Sequence, residues 1–351
     1  MNIKDIVNVR FENPKFKFDG KRMRVLQERK VVDWSSAIIL QMKVRNLDEI
    51  HINPQHTSNT QIINLKSPNQ CYNDLSYCIT SKFEHLSMNK IRSPVHIVRW
   101  TPDGRRCMSG TATGEFSLWN GYGYNFETIL QAHESSVRTM CWSHSGNFLV
   151  SADNTGIVKY WHPSMNNIQV FKGHDEPIRD ISFSYNDSKF CTASHNWDVR
   201  SAQWHQYQSL IASAGKDNLI KFWDPRASEE LYTLHSHKST LLALKWSLEG
   251  QYLLTGGKDQ IIIKKKLTSL CVHPIIPDYF VSGCGDGTMY HWQMFNEVPL
   301  ETVTNGHEYT IWSMEFHPVG HALASGSMDN TVRFWIRPRP DEIHNEKKEE
   351  L

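Results

Sequence analysis

The sequence predicts an all-β protein: a seven-bladed β-propeller with two blades truncated, preceded by an irregular basic N-terminal arm. Two observations carry this. A turn motif with Ser or Thr, Asp four residues later and Trp six after that is complete at Ser325/Asp329/Trp335, Ser213/Asp217/Trp223 and Ser282/Asp286/Trp292, and looser at Ser109/Thr113/Trp119, Ser151/Thr155/Trp161, Thr192/Asn196 and Thr255/Asp259. The spacing between closing tryptophans is also regular, 42 residues from Trp119 to Trp161 and 43 from Trp292 to Trp335. A repeat of roughly forty residues is one supersecondary unit that buries its apolar faces only against its neighbours.

The elements follow from the residue types. Gly285-Asp286-Gly287-Thr288 and Lys216-Asp217-Asn218 are hairpin turns, where Gly, Asn and Asp tolerate left-handed backbone and Asp can bind nearby amides. The flanking runs Tyr252-Leu253-Leu254-Thr255 and Thr331-Val332-Arg333-Phe334-Trp335 are β-branched and aromatic, the mark of short strands. A His precedes several units, at His133, His174, His237 and His307. The units resemble WD repeats, and the resemblance implies a buried tetrad of His, Ser or Thr, Asp and Trp in each blade. Counted at the motif spacing, only the last unit keeps all four, as His307, Ser325, Asp329 and Trp335.

Two places depart from the period. Trp161 to Trp223 is 62 residues for two units and Trp223 to Trp292 is 69, against 42 for one unit elsewhere. After Asp198-Val199-Arg200 the chain passes at once to Ser201-Ala202-Gln203-Trp204. The end of one blade's third strand, its outer strand and most of the next inner strand are therefore expected to be missing. After Ile261-Ile262-Ile263-Lys264-Lys265-Lys266 it reaches Leu270-Cys271-Val272-His273 with no room for an outer strand. The economical reading is a skipped exon or a degenerate copy, since lost strands expose sheet edges. The propeller is assigned to residues 82–336, an arm without repeats to 1–81, and a charged, disordered tail to 337–351.

Composition narrows the function. The 351 residues carry 39% apolar residues and 12 Trp, enough for a large core, at a formal net charge of +1, which argues against a general polyanion binder. No apolar window approaches a membrane span, and Met1-Asn2-Ile3-Lys4-Asp5 is charged where a signal peptide would be apolar, so a soluble intracellular protein is expected. Seven cysteines with no C-x-x-C are read as free thiols, mostly buried, of a reducing compartment. Gly283-Cys284-Gly285-Asp286-Gly287 mimics a phosphate loop but lies in a repeat turn with no helix after it. Eighteen His include no metal-binding or catalytic motif. No cofactor, metal site or enzymatic activity is expected.

The unusual stretch lies outside the repeats. Residues 15–30 hold seven cations (Lys15, Lys17, Lys21, Arg22, Arg24, Arg29, Lys30) against Asp19 and Glu28, interleaved with Phe16 and Phe18. A solvated basic tail or nuclear-import signal accounts for the charge. Single-stranded RNA binding accounts for charge and aromatics together, because cations neutralise phosphates while a ring stacks on an unpaired base.

The strings Phe18-Asp19-Gly20-Lys21-Arg22-Met23-Arg24, Gly114-Glu115-Phe116-Ser117-Leu118-Trp119-Asn120-Gly121, Asn125-Phe126-Glu127-Thr128-Ile129-Leu130-Gln131-Ala132-His133 and His307-Glu308-Tyr309-Thr310-Ile311-Trp312-Ser313 resemble the WD-repeat subunit of the cleavage and polyadenylation specificity factor. The resemblance covers about 18–33 and 82–335; residues 34–70 depart from it. It implies a nuclear subunit that recognises the AAUAAA polyadenylation signal together with a zinc-finger subunit, on a large multi-propeller scaffold. It further implies that Phe18 and Phe126 sandwich a U·A pair, that Ile129 packs on the bases, and that Lys21, Arg22, Arg24 and Arg29 hold phosphates. In a predicted strand Phe126 could instead be core. The alternative from another class is a general WD-repeat scaffold, such as a ubiquitin-ligase substrate receptor, which has no need of a basic-aromatic arm.

Overall fold

Seven antiparallel sheets, five of four strands and two of two, make up the described part of the chain, residues 75–195, 199–227, 229–259 and 266–337 of a computed structural model. The first complete sheet holds β2 (Val95–Trp100), β3 (Arg106–Thr111), β4 (Glu115–Asn120) and β5 (Phe126–Gln131). The second holds β6 (Val137–Trp142), β7 (Leu149–Asp153), β8 (Ile157–Trp161) and β9 (Asn167–Lys172). Then comes a hairpin of β10 (Ile178–Phe183) and β11 (Phe190–Ser194). A complete sheet follows, of β12 (Val199–Trp204), β13 (Ile211–Gly215), β14 (Ile220–Trp223) and β15 (Glu230–Leu234). The second hairpin is β16 (Leu241–Trp246) with β17 (Leu253–Gly257). The next complete sheet holds β18 (Leu267–Val272), β19 (Tyr279–Cys284), β20 (Met289–Gln293) and β21 (Glu301–Val303). The last holds β22 (Ile311–Phe316), β23 (Ala322–Ser327) and β24 (Thr331–Ile336), completed by β1 (Lys82–Met88) from the other end of the chain.

Five blades, not seven, are thus complete. Among the described residues the other two repeat units show an inner hairpin only, at the two places where the tryptophan spacing is short. The inner strands β2, β6, β10, β12, β16, β18 and β22 lie side by side, with β22 beside β2. Side chains tie neighbours together: the Trp204 amide donates to Ser182 Oγ (3.0 Å), Trp246 Nε1 to the Gln203 carbonyl (3.4 Å), Thr268 Oγ1 to the Ile311 carbonyl (2.6 Å) and the Val98 amide to Ser313 Oγ (3.2 Å). Between the sheets sit apolar clusters. Met108, Phe116 and Leu118 of the first pack on Val137, Met140 and Leu149 of the second, while Trp119 and Val98 pack on Val332 and Phe334 of the last.

Three expectations are corrected. Val199-Arg200, read as a remnant of a third strand, opens β12, which pairs with β13 from Val199 opposite Gly215 to Trp204 opposite Ile211 with a bulge at Arg200. The short segment is thereby spent on a full inner strand of one blade, and the preceding blade loses its third. Of the residues assigned to the arm, Leu75–Cys78 form a 3-10 turn, Leu75 and Cys78 join a core cluster with Tyr279 and Trp335, and the Thr80 amide donates to the Tyr279 hydroxyl. Cys78 is disulfide-bonded, whereas Cys107, Cys141, Cys191, Cys271 and Cys284 are in the thiol form. At the other boundary Arg337, assigned to the tail, is buried.

The last blade's tetrad is joined end to end: Trp335 Nε1 donates to Ser325 Oγ (2.9 Å), that hydroxyl lies 2.7 Å from His307 Nε2, and His307 Nδ1 lies 2.7 Å from Asp329. A second full tetrad, hidden from the residue count, is Trp161, Ser151, His133 and Asp153, with distances of 2.8, 2.6 and 3.2 Å. Here the carboxylate comes from two residues after the serine instead of four. Asp153 also accepts from Thr155 and the Ile157 amide, so it closes the turn in place of Thr155. His237, Thr255 and Asp259 form the same chain without its Trp. Gly156 and Gly287 (φ +82° and +83°) sit where a Cβ would come within 2.0 Å of the His174 and His307 carbonyls, so these turns admit no side chain.

Buried histidines make the fold acid-sensitive. Burial pushes His273 down to about 4 and His291 down to about 3. Both stay neutral when folded, His273 facing the Gly320 carbonyl (3.1 Å) and His291 the Tyr279 hydroxyl (2.7 Å). Because their folded values lie below the ordinary 6.5, the unfolded chain takes up protons the folded one refuses. Stability should be greatest above about pH 6.5 and fall toward pH 4 by about 1.4 kcal/mol per pH unit for each histidine. Urea unfolding at about pH 7.5 and about pH 5 checks this: equal stability under the two conditions would refute it, and His291→Gln should flatten the dependence.

Candidate nucleic-acid interface

The candidate surface is built on β5, the outer strand of the first blade. Residues 126 and 129 are three apart, and in a regular strand they would point to opposite sides of the sheet. A β-bulge changes that. Ser117 pairs with Ile129 and Leu118 with Thr128, but Trp119 pairs with Phe126, so one residue of β5 is skipped. Ser117 and Trp119 lie on one face of β4, hence Phe126 and Ile129 share that face.

Both side chains are open to solvent, Phe126 at 53% and Ile129 at 45% exposure. Phe126 is therefore not a core residue. Beneath it lies the buried Trp119, whose ring meets Phe126 edge-on at 5.7 Å and whose Nε1 is fixed by Ser109 Oγ at 3.0 Å. The loop leading into β5 is anchored by Tyr124, held at φ 55° and stacked on Phe334 at 4.3 Å. A left-handed tyrosine costs roughly 1–2 kcal/mol, which burying the whole ring offsets. Around this floor the backbone of the first blade is well tied: Tyr124 N donates to the Asn120 carbonyl, and Asn120 N to that of Asn125.

The nearest carboxylate is neutralised. Glu127 accepts from Arg106 Nε (2.6 Å) and from Asn120 Nδ2 (2.9 Å), which draws its charge away from the exposed Phe126 and Ile129 pair. An exposed apolar pair on one face of a strand suits the stacking face of a base and the hydrophobic edge of its neighbour. Phe18, Lys21, Arg22, Arg24 and Arg29 lie outside the described residues, so the geometry concerns Phe126 and Ile129 only. Among the described residues no His, Cys, Asp and Glu group is arranged to hold a metal ion, and no helix is long and apolar enough to cross a membrane.

The blades are recognisable beyond this chain. The WD domain, G-beta repeat family matches residues 124–162, 165–200, 192–224, 228–263 and 298–335. Two of these matches overlap over 192–200, the junction that one blade gives up to the next. Polyadenylation factor subunit 2 of Saccharomyces cerevisiae is 35% identical over 77% of this chain and 68% of its own length. This chain belongs to the polyadenylation factor subunit 2 family of WD-repeat proteins. Members from Neurospora crassa (34% identical over 92% of this chain) and Gibberella zeae (38% over 82%) are matched across 60% and 57% of their own lengths. The chain thus spans somewhat more than half of these two relatives.

Proposed function

We propose that this chain is a non-enzymatic, nuclear RNA-binding and scaffold subunit of the pre-mRNA cleavage and polyadenylation machinery. It recognises the AAUAAA signal together with a zinc-finger subunit, on a large multi-propeller subunit. The observation that carries the reading is the bulge that brings Phe126 and Ile129 to one exposed face of β5, in a chain of the polyadenylation factor subunit 2 family. In this reading Phe18 of the arm closes over Phe126 with a U·A pair between them, Ile129 packs on the bases, and Lys21, Arg22, Arg24 and Arg29 hold phosphates. The two hairpins β10–β11 and β16–β17 are short blades of a seven-position ring, and the scaffold role uses the ring as a whole.

The arm cations separate this reading from that of an incidental basic tail. A cation on a phosphate contributes through counterion release, without regard to sequence. Alanine at Lys21, Arg22 or Arg24 should weaken AAUAAA and scrambled RNA alike and lower the slope of log affinity against log salt by about 1 for each phosphate no longer neutralised. Unchanged affinity for both RNAs would return the arm to a solvated tail. A loss confined to AAUAAA at constant slope would show that these residues read bases.

A further inference from the structure

The inner strands share a feature that the RNA reading does not use. Each carries a β-bulge at its second residue: the register with the second strand shifts between Val95 and Ile97, Val137 and Thr139, Ile178 and Asp180, Val199 and Ser201, Leu241 and Ala243, Leu267 and Ser269, and Ile311 and Ser313. A bulge takes a residue out of the ladder and re-aims its side chain. The seven residues so placed are His96, Arg138, Arg179, Arg200, Leu242, Thr268 and Trp312, and all seven line one cavity of about 120 Å³. Three adjacent positions of this ring are arginine.

Among the described residues these arginines have no ion-pair partner. The one acid among the lining residues, Asp180, is spent on neutral donors: Ser201 Oγ at 2.6 Å, Gln203 Nε2 at 2.8 Å and the Ala202 amide at 3.2 Å. Arg138 donates to Asn154 Oδ1 (2.9 Å) and faces His96 Nε2 (3.3 Å), which must be neutral to accept. Among the described residues, Nε of Arg179 and Nε of Arg200 are buried with no hydrogen-bond partner. Burial together with the adjacent Arg138 and Arg200 brings Arg179 down to about 10, the mark of cations crowded on one another. Guanidinium groups aimed at one small space are a receptor for an oxyanion.

We propose that this mouth of the ring binds an acidic peptide segment of a partner protein, a single phosphate or carboxylate side chain entering between Arg138, Arg179 and Arg200. A cavity of about 120 Å³ is of the size for one such group. The opposite rim carries Leu242, Thr268 and the half-exposed Trp312, and its two apolar side chains accommodate the neighbouring residues of a peptide. A polynucleotide needs cations strung along a track to meet successive phosphates, whereas these converge on a point. Phe126 is not among the lining residues.

The test uses the full chain and fluorescence anisotropy with a degenerate nonapeptide pool bearing a central phosphoserine, the same pool with glutamate or serine at the centre, and an oligouridine of equal length. The phosphoserine and glutamate pools should bind at least about 10-fold more tightly than the serine pool, their ratio showing which oxyanion is preferred. Arg179→Gln and Arg138→Gln should each cost about 5-fold or more, Arg179→Lys should retain most of the binding, and Lys189→Gln, on the exposed surface, should change nothing. Circular dichroism and melting confirm that each variant is folded. Equal binding of the three pools, wild-type binding by both folded glutamine variants, or displacement of the phosphoserine pool by oligouridine at stoichiometric concentration would overturn the proposal.

Discussion

Phe126→Ala, measured in the assembled complex, should weaken binding to an AAUAAA RNA by about 10-fold or more while leaving the salt dependence nearly unchanged. The ring is half exposed on a fixed strand and Trp119 supports it from below, so the substitution removes a stacking surface without opening the core. Base–aromatic stacking is worth about 1–3 kcal/mol per base and depends on ring overlap, not on counterions. An unaltered melting temperature together with unaltered affinity would remove Phe126 from the site. A weakened affinity accompanied by a smaller salt slope would instead mean that the change acts through the cations.

The largest effect on stability should come from restoring the missing strands. In the complete second blade, β7 is buried along its whole length, with β6 and β8 on either side. Among the described residues its counterparts β11 and β17 each have a partner on one side only, and their first three residues are partly exposed, among them Phe190, Leu253 and Leu254. Beside β17 this leaves a cleft of about 620 Å³ lined by Tyr252, Leu253, Leu254, Phe280, Trp292 and the 79% exposed Phe295. Full burial of one large apolar side chain is worth roughly 1.5–3 kcal/mol. Recovering half of that at three positions gives about 2–4 kcal/mol, or roughly 5–15 °C for a domain of this size. A version with about 22 and 15 residues restored, the deficits in tryptophan spacing, should therefore melt higher and aggregate less through its edges. Equal melting temperatures would show that the short blades are a self-consistent variant.

What can be read from the sequence is what local chemistry dictates. Turn residues with fixed backbone demands, and a Trp ten residues after a Ser, mark each blade because the indole of Trp119, Trp161, Trp223, Trp292 and Trp335 donates to that serine. Where partner choice decides the outcome, spacing misleads. Val199-Arg200 can serve either of two blades, and it joins β12, where Val199 pairs with Gly215 of β13 and Arg200 forms the bulge. Asp153 escapes the motif because a carboxylate two residues after the serine reaches the same histidine as one four residues after it. The bulge at Phe126 and the ring of seven bulges that gathers Arg138, Arg179 and Arg200 are register effects with no local signal. The packed turn at Leu75–Cys78 does carry one, two apolar residues three apart, but it lies beyond the repeat.

If this chain contributes to reading a defined hexamer, the affinity of the assembled complex must depend on that hexamer. The direct measurement compares the chain, joined to the zinc-finger and multi-propeller subunits proposed as its partners, on an RNA containing AAUAAA and on one with the hexamer scrambled, at the same salt concentration. At least about a 10-fold preference for AAUAAA is expected, with Phe18→Ala and Phe126→Ala each reducing it. Equal affinity for the two RNAs, or a preference that survives both substitutions intact, would contradict a role in hexamer recognition.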